Sequence, residues 1–143
     1  METKLYLAYS WDMYPEYMYQ RLERNCQYVG KTYLHGYRLS FRGDSGKAKA
    51  TLEEATGAVT PCVLWLINSK GEAILASEFG GFEEKELPVS YCGVDTNALA
   101  FVMQPGKPLN TPGPETVAIM KAAYQLQNIR ERLLDQAVQC SSI

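Results

Sequence analysis

The sequence predicts an α+β protein built on a mixed or antiparallel sheet that can curl into a barrel. Three observations lead there. Strand-like runs outnumber helical ones, several of them are hairpin-linked, and the order along the chain reads β-α-β-β-β-(short α)-β-β-α. A doubly wound parallel sheet would need more helices. The 143 residues suit one domain spanning 1–143, and 46% apolar residues suit a packed core rather than a disordered chain.

Each element has its own warrant. "LYLAYS" alternates, with Leu5, Leu7 and Tyr9 on one face and Tyr6 and Ala8 on the other, which predicts a strand. "MYPEYMYQRLERN" predicts a helix, with Pro15 in the first turn, Glu16 beside the positive helix end, and Met18 and Leu22 in the buried stripe, with Tyr14 and Tyr19 as further candidates. A turn near Gly30 precedes a strand through Tyr37, Leu39 and Phe41, and "RGDSGK" is a loop. "KAKATLEEA" reads as a polar alternating strand, and "GAVTPCVLWLIN" as a central strand entered at Pro61, where a missing N–H does least harm. "SKGEAILASEFGG" is a turn and short helix stopped by Gly80-Gly81. "KELPVSYCGV" and "ALAFVM" are strands split by the turn "DTN". The Pro/Gly-rich "QPGKPLNTPGP" delivers the chain to a helix begun by Gly113-Pro114-Glu115, with Val117, Met120, Ala123 and Tyr124 on one face, and "IRERLLDQAV" forms a second, separately aimed helical piece.

Composition excludes several function classes. The net charge is -2 with Lys and Arg scattered, so neither nucleic acid nor a membrane surface is expected as a partner. "METKLYLAYS" is too short and polar for a signal peptide, and no apolar run approaches the roughly 18 residues of a membrane span. Cys26, Cys62, Cys92 and Cys140 lie far apart, no CxxC occurs, and His35 is the only histidine, which argues against a Cys/His zinc site. Reduced thiols in a cytoplasmic protein are expected, three of them in core or strand positions. The expected partner is a small molecule, and a homodimer is compatible with the sequence.

Most catalytic motifs fail on inspection. "GDSGKA" has the wrong spacing for a phosphate loop, and Ala48 replaces the metal-binding hydroxyl; it reads as a polar turn. His35 sits in a strand-like run without a neighbouring acid, and no G-x-S-x-G elbow exists. Among the acids, Glu83, Glu84 and Glu86 read as solvated surface. Glu78 closes a short helix between Ser77 and Phe79, and a carboxyl among apolar neighbours can move protons near neutrality.

In this order, the segments resemble the gamma-glutamylcyclotransferase-like family over almost the whole chain. Family members open with a strand ending in Tyr-Gly-Ser-Asn, often followed by Met; here the stretch is Tyr9-Ser10-Trp11-Asp12-Met13. "YLHGYRLSF" fits a Leu-x-Gly-Tyr-x-Leu-x-Phe segment through Leu34, Gly36, Tyr37, Leu39 and Phe41. "AVTPCVLWLI", "ILASEFGG" and "TPGPETVAIMKAAYQLQNI" match the strand, short helix and final helix that follow. The resemblance implies a small barrel-like mixed sheet flanked by helices. It also implies a reaction in which the α-amine of a gamma-glutamyl compound attacks its own γ-carbonyl to release 5-oxoproline. One glutamate would shuttle the protons, the first strand-helix loop would hold substrate by backbone N–H groups, and no metal or cofactor is needed.

The same resemblance exposes departures. Ser10, Trp11 and Asp12 replace the family's glycine, serine and asparagine, Ala76 replaces its aspartate, and Phe79 falls on its catalytic glutamate. Glu78 lies one residue early, a slip of roughly 100° on a helix. The resulting site expectation is Glu78 as the catalytic group, with Tyr9, Ser10, Trp11, Asp12, Met13, Phe79 and Phe82 as binding residues. An acid at Asp12 would repel a substrate carboxylate, and Trp11 could fill the pocket or turn into the core. Two functions therefore stand: an enzyme acting on a different substrate, such as one with an amine or cationic end, or a scaffold that has lost catalysis and binds a ligand or protein.

Overall fold

The computed structural model of the chain describes residues 2–142. Among these, five strands form one sheet in the order β2-β3-β1-β5-β4. They are β1 (Thr3–Ala8), β2 (Cys26–Arg42), β3 (Lys49–Asn68), β4 (Phe82–Tyr91) and β5 (Val94–Met103). Four α-helices flank them: α1 (Pro15–Leu22), α2 (Ser69–Glu78), α3 (Pro114–Leu126) and α4 (Arg132–Ser141). Trp11–Met13 and Glu23–Asn25 are 3-10 turns. The sheet is mixed, as expected: β1 runs antiparallel to β3 and parallel to β5, while β2–β3 and β4–β5 are antiparallel pairs. Leu5, Leu7, Leu39, Phe41, Val63, Trp65, Val89 and Phe101 all belong to it.

Several boundaries differ from the sequence reading. Gly30 is not a turn. It sits at a register slip inside β2, where the pairing steps from Tyr28 to Gly30. The two runs read as separate strands, "KAKATLEEA" and "GAVTPCVLWLIN", form the single β3, so Pro61 is internal to it and pairs with Tyr33. Residues 55–58 of β3 face the single Gly36 of β2, because Val59 pairs with His35 and Glu54 with Tyr37. The hairpin turn of β4 and β5 is Cys92-Gly93 rather than Asp95-Thr96-Asn97. Cys92 (φ 52°) and Gly93 (φ 79°) both take positive φ, the mark of a two-residue type I′ hairpin, and Cys92 is therefore an exposed turn residue. Two thiols are buried, Cys26 and Cys62.

The sheet curls until its edges meet. The Thr32 hydroxyl donates to the Ser90 carbonyl at 2.7 Å, and the Tyr91 hydroxyl donates to the Val29 carbonyl at 2.9 Å. Gly30 permits this closure because a Cβ there would lie 2.9 Å from Cε1 and Cζ of Tyr91. The core lies between the curled sheet and the helices. Trp65 is fully buried, with Tyr19 and Tyr28 packed edge-on at 5.4 and 5.5 Å. Met18 and Leu22 bury the inner face of α1, while Tyr19 is 47% exposed at its margin. Met120, Ala123 and Tyr124 bury that of α3.

Two local devices set the position of α2. Asn68 caps its start, accepting from the Gly71 N–H at 2.9 Å while donating from Nδ2 to Asn25 Oδ1 at 2.9 Å. The helix then ends at Glu78, and Gly81 (φ 87°) turns the chain into β4. α2 thus delivers its last residue to one side of a cleft.

Gly30→Ala tests the closure. The added methyl must displace the Tyr91 ring, so we expect a loss of about 1–3 kcal/mol in urea unfolding. Tyr91→Phe removes only one hydrogen bond and should cost about 1 kcal/mol. A neutral Gly30→Ala would contradict the closure described here.

Candidate functional site

The turn after β1 and the end of α2 face each other across a cleft of about 260 Å³. Ser10, Trp11 and Asp12 line one wall, and Glu78, Phe79 and Phe82 the other. Tyr17 and Arg21 of α1, Lys49 and Ala50 of β3, and Thr116 of α3 complete it. Of the residues expected at a site, the structure brings together Ser10, Trp11, Asp12, Glu78, Phe79 and Phe82. Tyr9 and Met13 are placed elsewhere. Both are buried in the core, and the Tyr9 hydroxyl donates to the Phe101 carbonyl, because the chain turns inward as β1 ends.

Asp12 does not stand in the cleft as an exposed, unpaired group. It is 3% exposed, and its carboxylate accepts from the Tyr6 hydroxyl and, at 3.1 Å, from the Ser10 N–H. The backbone donor expected to grip a substrate is therefore already used by the chain's own acid. The backbone carbonyl of Asp12 accepts from Trp65 Nε1 at 3.0 Å. Burial raises the Asp12 carboxyl from its usual 3.8 to about 6; the Glu78 charge pushes the same way, and the Tyr6 and Ser10 hydrogen bonds oppose it. Tyr6, buried against this charge, is held well above the ordinary phenol value, so it remains a donor. Ser10 has φ -130°, so no left-handed backbone requires glycine there.

Trp11 neither fills the cleft nor enters the core. Its Nε1 donates to Thr116 Oγ1 at 3.1 Å, and its ring meets Tyr17 edge-on at 5.8 Å. The indole thereby ties the first turn to α3 and forms an apolar wall.

Glu78 is the second acid. Its side chain keeps 23% of its surface exposed. Arg21 pairs with Oε1, and the Tyr17 hydroxyl donates to Oε2 at 3.1 Å. Partial burial and then the Glu78 charge push the Tyr17 phenol up to about 12, so it too stays a donor. A carboxylate has about four lone-pair directions. Two donors fix the orientation of Glu78 and leave it able to accept from a ligand amine. α2 ends at Glu78, and Phe79 takes the non-helical φ/ψ of -96°/42°. Phe79 stacks on Phe101 at 5.1 Å and meets Phe82 at 5.3 Å, an apolar floor beside the acid.

Arg21, Tyr17, Lys49 and Thr116 were not anticipated at the site. One sequence signal existed for the first two: Tyr17 and Arg21 are four apart on α1, hence on one helical face. The Arg21 guanidinium sits 5.1 Å from the Tyr17 ring centroid. No group of three or more His, Cys, Asp or Glu able to hold a metal occurs among the described residues. No described helix is long and apolar enough to cross a membrane.

No protein-family model matches this chain, and no curated protein matches it in sequence. Solved structures do. A gamma-glutamyl cyclotransferase superposes with a TM-score of 0.80 at 19% identity, over 95% of this chain and 86% of that one. The uncharacterized protein loc79017 from Homo sapiens does so with a TM-score of 0.80 at 18% identity, over 96% and 87%. YkqA from Bacillus subtilis gives 0.81 at 16% identity, covering 99% of this chain but 55% of YkqA. The chain therefore has the gamma-glutamyl cyclotransferase fold. At these identities, function must be argued from the site.

The buried acid makes stability depend on pH. A carboxyl raised in the folded state holds its proton between about 3.8 and about 6, where the unfolded chain has released it. Its stabilising contribution is present below the unfolded value and lost as pH rises through about 6. The wild-type minus Asp12→Asn difference in unfolding free energy should fall by on the order of 3 kcal/mol between pH 4 and 7. Urea denaturation at the two pH values checks the sign; a difference that rises with pH contradicts the assignment.

Proposed function

We propose that the cleft binds the zwitterionic head of a gamma-glutamyl amide, or of a related amide, and cyclises it slowly to 5-oxoproline. The observation that carries the reading is Glu78, held in fixed orientation by Arg21 and Tyr17 on the wall opposite Ser10–Asp12. Arg21 and Lys49 supply positive charge for a substrate carboxylate, and Glu78 supplies an acceptor for its amine. The likeness in fold to a gamma-glutamyl cyclotransferase supports the reaction class.

In this reading, the α-ammonium of the bound head first releases a proton to solvent, and the free α-amine attacks the γ-carbonyl carbon. The ring C–N bond forms, the amide C–N bond breaks, and Glu78 accepts the amine proton and returns it to the leaving nitrogen. The attack is intramolecular from the start, so confinement in the cleft acts by holding the amine and the carbonyl in a near-attack geometry. Two features slow the step on gamma-glutamyl amino acids. Glu78 must share its lone pairs with Arg21 and Tyr17 while it moves the proton. Asp12 is mostly ionised at pH 7, with its carboxyl near 6, and opposes a second carboxylate beside it. The partner in this reading is a small molecule, and the four free thiols fit a reducing, cytoplasmic setting.

A second reading, a binding module without catalysis, draws on the same occupancy of both Glu78 oxygens. One assay separates them. The purified protein is given gamma-glutamyl amino acids and gamma-glutamyl amines, and 5-oxoproline is measured. We expect slow release, faster from the amines, and a loss of about 10²-fold or more in Glu78→Gln, which keeps size and removes proton transfer. Release unchanged in Glu78→Gln would remove Glu78 from the mechanism. No release, with saturable binding that Trp11→Ala weakens, would favour the binding module.

A further inference from the structure

The cleft is richer in aromatic side chains than the chain as a whole. Four of its eleven lining residues are aromatic, Trp11, Tyr17, Phe79 and Phe82, against 11% of the sequence. All four are partly exposed, and they come from both walls: Trp11 from the turn after β1, Phe79 and Phe82 from the opposite side, and Tyr17 from α1. Their own contacts hold them in place. Trp11 is tied through Nε1 to Thr116 and meets Tyr17 edge-on at 5.8 Å. Phe79 has one face stacked on Phe101, at an interplanar angle of 8°, so it shows the cleft its edge or its other face. Phe82 is tilted by 56° against Phe79. Ring surface left accessible in a concavity, on side chains already fixed, can be covered by a bound apolar group at little ordering cost.

The charged groups of the lining are already engaged. Asp12 is buried, with the Tyr6 hydroxyl and the Ser10 N–H on its carboxylate. Arg21 is paired with Glu78 and lies 5.1 Å from the Tyr17 ring centroid, so the chain's own guanidinium fills the cation–π position of this cluster. In the cyclisation reading above, Glu78 takes the amine of the glutamyl head, and Arg21 and Lys49 take its carboxylate. A second cation on the substrate would meet Arg21 and Lys49 and find no unpaired acid in the lining. A second anion would compete with the head for the same two cations. The surface left for the rest of the substrate is uncharged and aromatic.

Resting on that reading, we propose that the amide nitrogen of the substrate carries an uncharged aromatic group, as in a gamma-glutamyl arylalkylamide, whose ring lies between Trp11 on one wall and Phe79 and Phe82 on the other. The amine released is then an arylalkylamine. A ring is favoured over an aliphatic group of the same size because the walls present aromatic edges and faces, and aromatic pairs gain beyond the area they bury when an edge meets a face. Trp11 and Phe82 set specificity for the substituent, while Glu78 and Arg21 serve every gamma-glutamyl amide alike.

The test compares four gamma-glutamyl amides: those of benzylamine, cyclohexylmethylamine, ethylamine and 1,4-diaminobutane. Affinities are measured by NMR titration of the full chain carrying Glu78→Gln, so that binding is read without turnover. The benzyl amide should bind about two- to tenfold tighter than the cyclohexylmethyl amide and about tenfold or more tighter than the ethyl amide. The diamine derivative should bind weakest. Of the two tryptophans, Trp65 is fully buried, so a change in indole emission on adding the benzyl amide reports Trp11. In the same background, Trp11→Leu and Phe82→Leu should each reduce the preference for benzyl over cyclohexylmethyl to about twofold or less. The proposal is overturned if no amide binds, if the cyclohexylmethyl or diamine derivative binds as tightly as the benzyl amide, if indole emission stays constant, or if the ring preference survives both variants. Release of 5-oxoproline by the wild type is measured separately. Ring-selective binding without release supports this assignment and removes the cyclisation; release without ring preference overturns this assignment and leaves the cyclisation standing.

Discussion

The cleft depends on how Asp12 is held. Its carboxylate is gripped by Tyr6 and by the Ser10 N–H, and its carbonyl by Trp65. Tyr6 and Trp65 come from β1 and β3 and pair with each other across the sheet, so the turn after β1 is fastened to the sheet's own register. Everything on the near wall follows from that fastening. Trp11, next in the turn, is thrown outward toward Thr116, and Ser10 is left facing Glu78 across the cleft. A buried charge is tolerated only where donors compensate its lost hydration, and here two are supplied.

The consequence is a cleft with two acids in different surroundings. Asp12 is buried and raised toward neutrality; Glu78 is at the surface end, with a cation and a phenol on its two oxygens. Asp12 sets the shape of the near wall, and Glu78 lines the opposite one.

Much of the fold could be read from periodicity. β1, α1 and α3 each carry a clear pattern, Pro15 marks the start of α1 and Pro114 that of α3, and the Gly80-Gly81 pair marks the end of α2. The failures have a common physical origin in tertiary closure. Gly30 reads as a turn because glycine usually marks one, yet its missing Cβ serves the packing of Tyr91 from a strand some sixty residues away. Glu54 and Val59 read as parts of two strands because β3 bows between them. Asp95-Thr96-Asn97 is the more polar segment, but the hairpin turns at Cys92-Gly93, where both residues take the positive φ that the turn needs. At the cleft, the segments containing Trp11 and Glu78 were legible, but the inward turn of Asp12 was not. A 3-10 turn and a tyrosine six residues upstream decide it, and no local spacing rule couples them. Lys49 and Thr116 arrive from distant elements and left no signal in the sequence around them.

The state of Asp12 is open to direct observation. In protein labelled with ¹³C at aspartate side chains, the carboxyl resonance of Asp12, assigned by its loss in Asp12→Asn, can be followed from pH 3 to pH 8. Burial beside Tyr6 predicts a midpoint near 6, with the Tyr6 resonances moving at the same pH. A midpoint near the ordinary 3.8, with Tyr6 silent, would mean that the carboxylate stands in water and that the near wall of the cleft is not built as described.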